Sequence, residues 1–374
     1  MVVSIIGWYG TETMGDRAIL DGILSILSEY SKHITVQIGS LFDFYTRRTL
    51  MEEKDVFNKT APLTKLKIFD IKDKKVREEK IKCSDVLLFG GGPLMDLEEL
   101  FLIKKCFIYA KQCKIPTVIM GCGMGPLKRT DYISVVYDIL SMASKISFRD
   151  MMSLKLAKEM YGENENTICL GDPAVISVEN YKKENKYKKA ANIVVNFRDY
   201  PQHEYGAKSN FRIEDMRKLL TELEKVDMEV MLVPMHTFGI GGDDRFFLSE
   251  LVYNQQYRHV KVIHRPLNLK ELYQIYTNAY GCIGMRYHAV VMQTILNGNN
   301  VIIDYTDPNT GKIKGFLDDV DNNGFYKERI FNIQKEQHVN IDHYVAILKE
   351  QQHFVYQYTT MKEKYVDFLA DYFG

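Results

Sequence analysis

The stretch Tyr280–Tyr305, YGCIGMRYHAVVMQTILNGNNVIIDY, carries a strand, a helix and a second strand in one run. "YGCIG" is a short apolar segment ending at Gly284, "HAVVMQTILNG" is a helical run closed by Gly298, and "NVIIDY" is rich in β-branched residues. Two such strands joined by one helix form the unit from which parallel sheets are built. Arg286 and His288 interrupt this apolar sequence in the strand-to-helix connection. At a helix N-terminus, a guanidinium fork and an imidazole would make an anion pocket able to move protons near neutral pH. A structural arginine and a hydrogen-bonded core histidine are the alternative for this pair taken alone.

The same alternation extends outward in both directions. Upstream, strands are predicted at "NIVVNF", "MEVMLVPM" and "VKVIHR", with helices at "IEDMRKLLTELEKV", "DDRFFLSELVYNQQ" and "NLKELYQIYTNA". An earlier series has strands at "VVSIIG", "ITVQIG", "DVLLFG", "PTVIMG" and "KISFRD", with helices such as "GDRAILDGILSILSEY" and "MSLKLAKEMYG". The class is therefore α/β, with two Rossmann-like domains. The Lys- and Asn-rich interval "VENYKKENKYKKAAN" predicts a linker over 177–191, between an N-terminal domain at 1–176 and a C-terminal one at 192–335. Residues 336–374, with Ile341, Tyr344, Leu348, Tyr358, Met361, Tyr365 and Phe368 at helical spacing, are expected to be C-terminal helices. The mixed, Lys-rich interval Asp43–Lys82 reads as a surface insertion.

Composition narrows the function classes. A chain of 374 residues can bury two cores, and 46% hydrophobic with 26% charged residues is ordinary for a globular protein. Lys plus Arg and Asp plus Glu are both 49, so no global field favours nucleic acid. "MVVSIIGWYG" lacks the features of a signal peptide, and no apolar stretch reaches membrane-spanning length, so a cytoplasmic location is expected. The Lys65–Lys82 interval is compatible with peripheral contact at the inner membrane face, but a solvated surface is the favoured reading. The six cysteines form no C-x-x-C pair and read as reduced thiols, with no metal expected.

In open α/β sheets ligands bind beyond the carboxyl ends of the strands. In the first half these ends are glycine-rich: Gly10 and Gly15 precede Asp16, Gly90 to Gly92 precede Asp96, and "IMGCGMGP" carries Gly121, Gly123 and Gly125. Gly10, Asp16, Gly91, Gly92, Asp96 and Gly123 are candidate ligand-binding positions; tight turns, with Asp16 as a helix cap, are the alternative. Neither dinucleotide nor P-loop fingerprints occur there. In the second half the strand ends are charged. Arg198 follows "NIVVNF", His236 follows "MEVMLVPM", and Lys312 and Lys314 follow "NVIIDY", while Asp243 and Asp244 read as helix caps rather than metal ligands. Together they predict a basic, His-containing pocket.

These motifs in this order resemble the polysaccharide pyruvyl transferase family. The resemblance covers about residues 1–320 and rests on "GWYGTETMGDRAIL", "FGGGPLMD", "GCGMGP", "SFRD" with Ser153, "LGDPA", "VPMHTFGIGGDDRFF" and "GMRYHAVVMQTILNGNNVIIDYTDPNTGKIKGF". It implies two domains facing a cleft, similar to GT-B glycosyltransferases, and transfer of pyruvate from phosphoenolpyruvate to a sugar as a cyclic ketal. It assigns Arg286 and His288 to the donor and catalytic element and Arg198 to the donor side, with the glycine-rich domain on the acceptor side. Thr13 and Met14 stand where many relatives carry Asn, and Tyr287 where Leu is common; these departures touch the acceptor more than the donor. The implied partners are phosphoenolpyruvate and a glycan or lipid-linked saccharide, without a cofactor. A GT-B glycosyltransferase using a nucleotide-activated sugar, or a non-catalytic glycan-binding protein, would suit the same architecture.

Overall fold

Among the described residues, fourteen strands and the helices between them make two parallel sheets. The computed structural model describes residues 1–30, 33–163, 165–185, 192–201, 211–238, 242–336 and 338–373. Contacts divide the chain into one unit of Met1–Glu12, Asp16–Ser177 and Thr359–Gly374, and another of Thr13–Gly15 and Val178–Tyr358.

In the first unit the strands are β1 (Val2–Ile6), β2 (Thr35–Ser40), β3 (Lys65–Asp70), β4 (Val86–Gly90), β5 (Pro93–Leu94), β6 (Thr117–Met124), β7 (Lys145–Phe148) and β8 (Thr167–Cys169). They lie in the order β3-β2-β1-β4-β6-β7-β8, with β5 paired to β6, and every pairing is parallel. Helices cover both faces of such a sheet, so the central strands must be apolar on both sides. Accordingly Val86, Leu87, Leu88 and Phe89 are all fully buried.

The interval Asp43–Lys82 is part of this sheet and not an insertion. It contributes helices Asp43–Glu52, Lys54–Thr60 and Lys74–Lys82 and the edge strand β3. An edge strand is half solvated, which explains its lysines: Lys65 and Lys67 are exposed while Phe69 is buried. Phe57, Ile71 and Ile81 anchor the rest. "SFRD" with Ser153 is likewise structural. Asp150 caps the helix Met151–Tyr161 by accepting from Ser153 N at 2.6 Å, and Ser153 Oγ accepts from Met124 N at 3.0 Å.

The second unit has β9 (Asn192–Asn196), β10 (Glu229–Leu232), β11 (Val260–Val262), β12 (Gly281–Gly284), β13 (Asn300–Asp304) and β14 (Ile330–Asn332). Their order is β11-β10-β9-β12-β13-β14, again all parallel. The helix Leu269–Asn278 that leads into β12 starts with a capping box: Asn268 Oδ1 accepts from Glu271 N at 2.8 Å, and Glu271 Oε2 from Asn268 N at 3.0 Å. The next helix, Tyr287–Leu296, is buried almost throughout and is closed where Gly298 N meets Gln293 O at 2.9 Å.

The chain divides differently from the limits expected from sequence. The helix Pro173–Glu184 enters the interval expected as a linker, because Ala174, Val175, Ile176 and Val178 are buried; residues 186–191 lie outside the described ones. The C-terminal stretch is shared between the units. The helix Ile341–Lys349 belongs to the second, where Asn299 Nδ2 donates to Leu348 O at 2.9 Å. Met361–Phe373 returns to the first, where Tyr365 is fully buried and its hydroxyl donates to Gly171 O at 2.7 Å. All six cysteines are free thiols. Among the described residues no helix is long and apolar enough to cross a membrane.

Candidate functional site

In the second sheet the strand order reverses between β9 and β12, and crevices open at such points beyond the strand ends. Arg198 lies just past β9 and Arg286 just past β12, so both flank the reversal. Asn196, the last residue of β9, ties three strand ends together. Its Oδ1 accepts from Arg286 N at 3.0 Å and its Nδ2 donates to Val233 O, beyond β10, at 2.9 Å. A fully buried asparagine must satisfy both ends of its amide, which makes it a fixed spacer here.

Arg286 is the N-cap residue of the helix Tyr287–Leu296, and its guanidinium is already engaged. Asp244 takes it bidentately, with Nε 2.7 Å from Oδ2 and Nη2 2.5 Å from Oδ1. The same Oδ2 accepts from the backbone N of Met235 and of His236, each at 3.0 Å. Asp244 is therefore more than the helix cap expected from sequence; Asp243 fills that role, accepting from Arg245 N at 2.9 Å. The pair corrects the reading of Arg286 as an open fork. One edge of the guanidinium is held by Asp244, and only the Nη1 side lies outside the ion pair. Removing either partner of a pair this buried costs roughly 3–5 kcal/mol, because the other charge is stranded.

A second cluster forms on Tyr305, which follows β13 and is only 1% exposed. The Arg198 guanidinium carbon is 5.0 Å from the ring centroid, and Nη1 is 3.4 Å from the hydroxyl. Lys312 Nζ, at the start of the helix Lys312–Val320, is 5.3 Å from the same centroid. Burial pushes the phenol's pKa up, but Lys312, Arg198 and Arg286 outweigh it, and the net effect is a lowered value. Beside it, burial raises the Asp304 carboxyl to about 6 against hydrogen bonds from Thr306 and Asn332 and the charge of Lys312.

His288 stands on the first turn of the same helix as Arg286, its ring 4.9 Å from that of Tyr287. The segment Thr13–Gly15 belongs to this unit. Thr13 bridges His236 and Met14 N donates to Met235 O at 3.0 Å, which sets Gly15 against the imidazole; a Cβ there would overlap Nδ1. His236 is buried and joins the cluster through its backbone N. Lys314 does not join it; its ammonium pairs with Asp318 one turn along the helix.

The glycine-rich face of the first unit is accounted for by packing within that unit. A Cβ at Gly10 would come within 2.7 Å of Phe42 N, and one at Gly91 within 2.5 Å of Ile19. At Gly92 it would overlap the Trp8 indole and at Gly123 the Arg149 guanidinium. Asp16 Oδ2 accepts from Thr11 Oγ1 at 3.2 Å, and Asp96 Oδ2 from the backbone N of Lys128 at 3.0 Å and of Arg129 at 3.2 Å. Both carboxylates hold loops in shape.

Sequence reading missed Asn196, the pairing role of Asp244, and Tyr305. An asparagine ending an apolar strand and a tyrosine ending another were the available signals; nothing in the sequence assigns Asp244 to Arg286.

Two parallel sheets with alternating helices define the α/β class, and comparison with known proteins agrees. The polysaccharide pyruvyl transferase family matches residues 14–308, and the chain belongs to that family. The fold resembles UDP-N-acetylglucosamine 2-epimerases. The one from Neisseria meningitidis, bound to UDP-GlcNAc, is 11% identical with TM-score 0.62, covering 99% of both chains. That from Rickettsia bellii is 10% identical with TM-score 0.59, covering 100% of this chain and 96% of the other. A glycosyltransferase from Rickettsia africae is 11% identical with TM-score 0.52, covering 100% and 94%. These likenesses establish a GT-B-like fold. No curated protein matches the sequence.

Proposed function

We propose that this chain moves the pyruvyl group of phosphoenolpyruvate onto a sugar of a cell-surface polysaccharide or its precursor, as a cyclic ketal. The observation that carries the reading is the gathering of Arg198, Lys312 and Arg286 near one phenol at the strand ends of the second unit, in a chain of the pyruvyl transferase family. Phosphoenolpyruvate presents a carboxylate and a phosphate, and both need cations. Arg198 and Lys312 supply two, and the Nη1 side of Arg286 a third.

Protonation of the methylene carbon leaves an oxocarbenium-like centre at C2, to which one sugar hydroxyl adds. A second hydroxyl then displaces phosphate, which leaves with the electron pair of the C2–O bond. Of the two hydroxyl protons, one ends on the new methyl group and the other on phosphate. His288 is the proposed shuttle, since imidazole exchanges protons near neutral pH. The first amides of the helix Tyr287–Leu296 would hold the departing phosphate, and no cofactor enters. The acceptor, a glycan or lipid-linked saccharide, would be met in the cytoplasm or at the inner membrane face.

Incubation with phosphoenolpyruvate and glycan acceptors, followed by phosphate release, tests this. Acceptor-dependent release is the expected result. Consumption of a nucleotide-activated sugar instead supports the glycosyltransferase reading, and sugar binding without turnover supports a binding protein.

A further inference from the structure

Tyr305 is a buried phenol that the pyruvyl-transfer scheme does not use, yet two cations from two elements lie against it and a third acts on it electrostatically. Arg198 comes from beyond β9, Arg286 from beyond β12, and Lys312 from the start of the helix Lys312–Val320. On its own strand the neighbouring acid, Asp304, bonds Thr306 and Asn332, and the backbone O of Tyr305 accepts from Gln334 Nε2 at 2.8 Å. The hydroxyl lies 3.4 Å from Arg198 Nη1, so a ligand oxygen bridging Arg198 and Lys312 would lie beside it. A phenol there donates one more hydrogen bond to an oxyanion. A phenolate would be a fixed negative charge among the same cations, repelling that oxyanion.

We propose that Tyr305 is the built-in counter-group of an oxyanion seat formed with Arg198 and Lys312: as a phenol it helps bind a phosphate or carboxylate, and as a phenolate it excludes one. It is a positioning and selectivity residue, and the inference builds on reading this face as the donor site. The cations beside the phenol outweigh its burial and shift its ionisation below the ordinary value for tyrosine. Linkage requires the converse: a bound oxyanion must hold the phenol protonated to higher pH.

The test is calorimetric binding of inorganic phosphate and of phosphoenolpyruvate to the full chain and to Tyr305→Phe, from neutral to alkaline pH. At neutral pH the variant should bind about tenfold more weakly, the loss expected for one hydrogen bond to a charged group. As pH rises the wild type should lose affinity while the variant holds its own, so their ratio shrinks. Parallel curves, or no binding of either anion to the wild type, would overturn the proposal. Should the variant fail to fold, the ultraviolet phenolate signal of the wild type decides: saturating phosphate should delay ionisation of a tyrosine, and no response would reject it. The readout separates the two readings. Phosphate binding with the predicted ratio but no pyruvyl transfer retires the function proposed above and leaves this seat standing; transfer with parallel binding curves does the reverse.

Discussion

The carboxyl ends of the two sheets share a topology and differ in what their loops carry. In the first unit the ends of β1, β4 and β6 run into glycines whose missing side chains make room for Phe42, Ile19, Trp8 and Arg149. In the second, the ends of β9, β12 and β13 run into Arg198, Arg286 and Tyr305, and the groups are spaced by Asn196 and Asp244. Buried charge follows the same division. The first unit buries Arg17 against Glu12 and Glu53, a closed set in which carboxylates outweigh burial and raise the arginine's pKa. The second gathers cations around a phenol. Glycine-rich strand ends thus mark close packing here, and charged strand ends gather around one phenol.

The largest effect is expected of His288→Ala in the second unit. Turnover in the phosphate-release assay should fall by about 10²–10⁴, the usual range for lost acid–base catalysis, with an unchanged thermal midpoint. Near-normal turnover would place the chemistry elsewhere. The counterpart in the first unit is Gly92→Ala. Gly92 sits at φ +78°, where a side chain is strained, and a Cβ would overlap Trp8, so urea unfolding should show a loss of about 2–5 kcal/mol. Phosphate affinity should be untouched. A tolerated alanine would mean that the glycine serves something other than packing.

One buried carboxyl in each unit permits a closer comparison. Burial raises Asp21 and Asp304 alike to about 6, and Asp21 is held by Ser177 Oγ at 2.6 Å. A carboxyl whose folded pKa lies above its unfolded value favours the fold while protonated. That contribution is complete below about pH 4 and is lost as pH rises through about 6. Relative to Asp21→Asn and Asp304→Asn, the wild type should therefore lose roughly 3 kcal/mol across this window. Difference curves from unfolding at several pH values check this, and flat curves would show the carboxyls already ionised. The smallest effect is expected of Lys314→Ala, which removes an exposed pair with Asp318. It should change stability by less than about 0.5 kcal/mol and leave phosphate affinity unaltered.

Much of the architecture was legible because parallel sheets demand continuous apolar strands, and "DVLLFG", "PTVIMG" and "NIVVNF" are such runs. The edge strand β3 was not, since a strand with one open side alternates lysine with half-buried residues and looks like surface. The C-terminal helices were legible as helices, yet helical spacing is silent on which core receives each one. At the site, Arg198, Arg286, His288 and Lys312 could be named because they stand at strand or helix ends. Lys314, two residues from Lys312 on the same helix, faces elsewhere, and periodicity alone did not separate them.

Periodicity and strand-end chemistry, which are local properties of the chain, determined the class of fold and the cations available to the second sheet. How those cations are engaged was decided by contacts between residues far apart in sequence. Asp244 reaches Arg286 across 42 positions and Tyr305 meets Arg198 across 107. Charge is written residue by residue, but its neutralisation depends on which partner folding brings within a few ångströms, and only the tertiary structure fixes that distance.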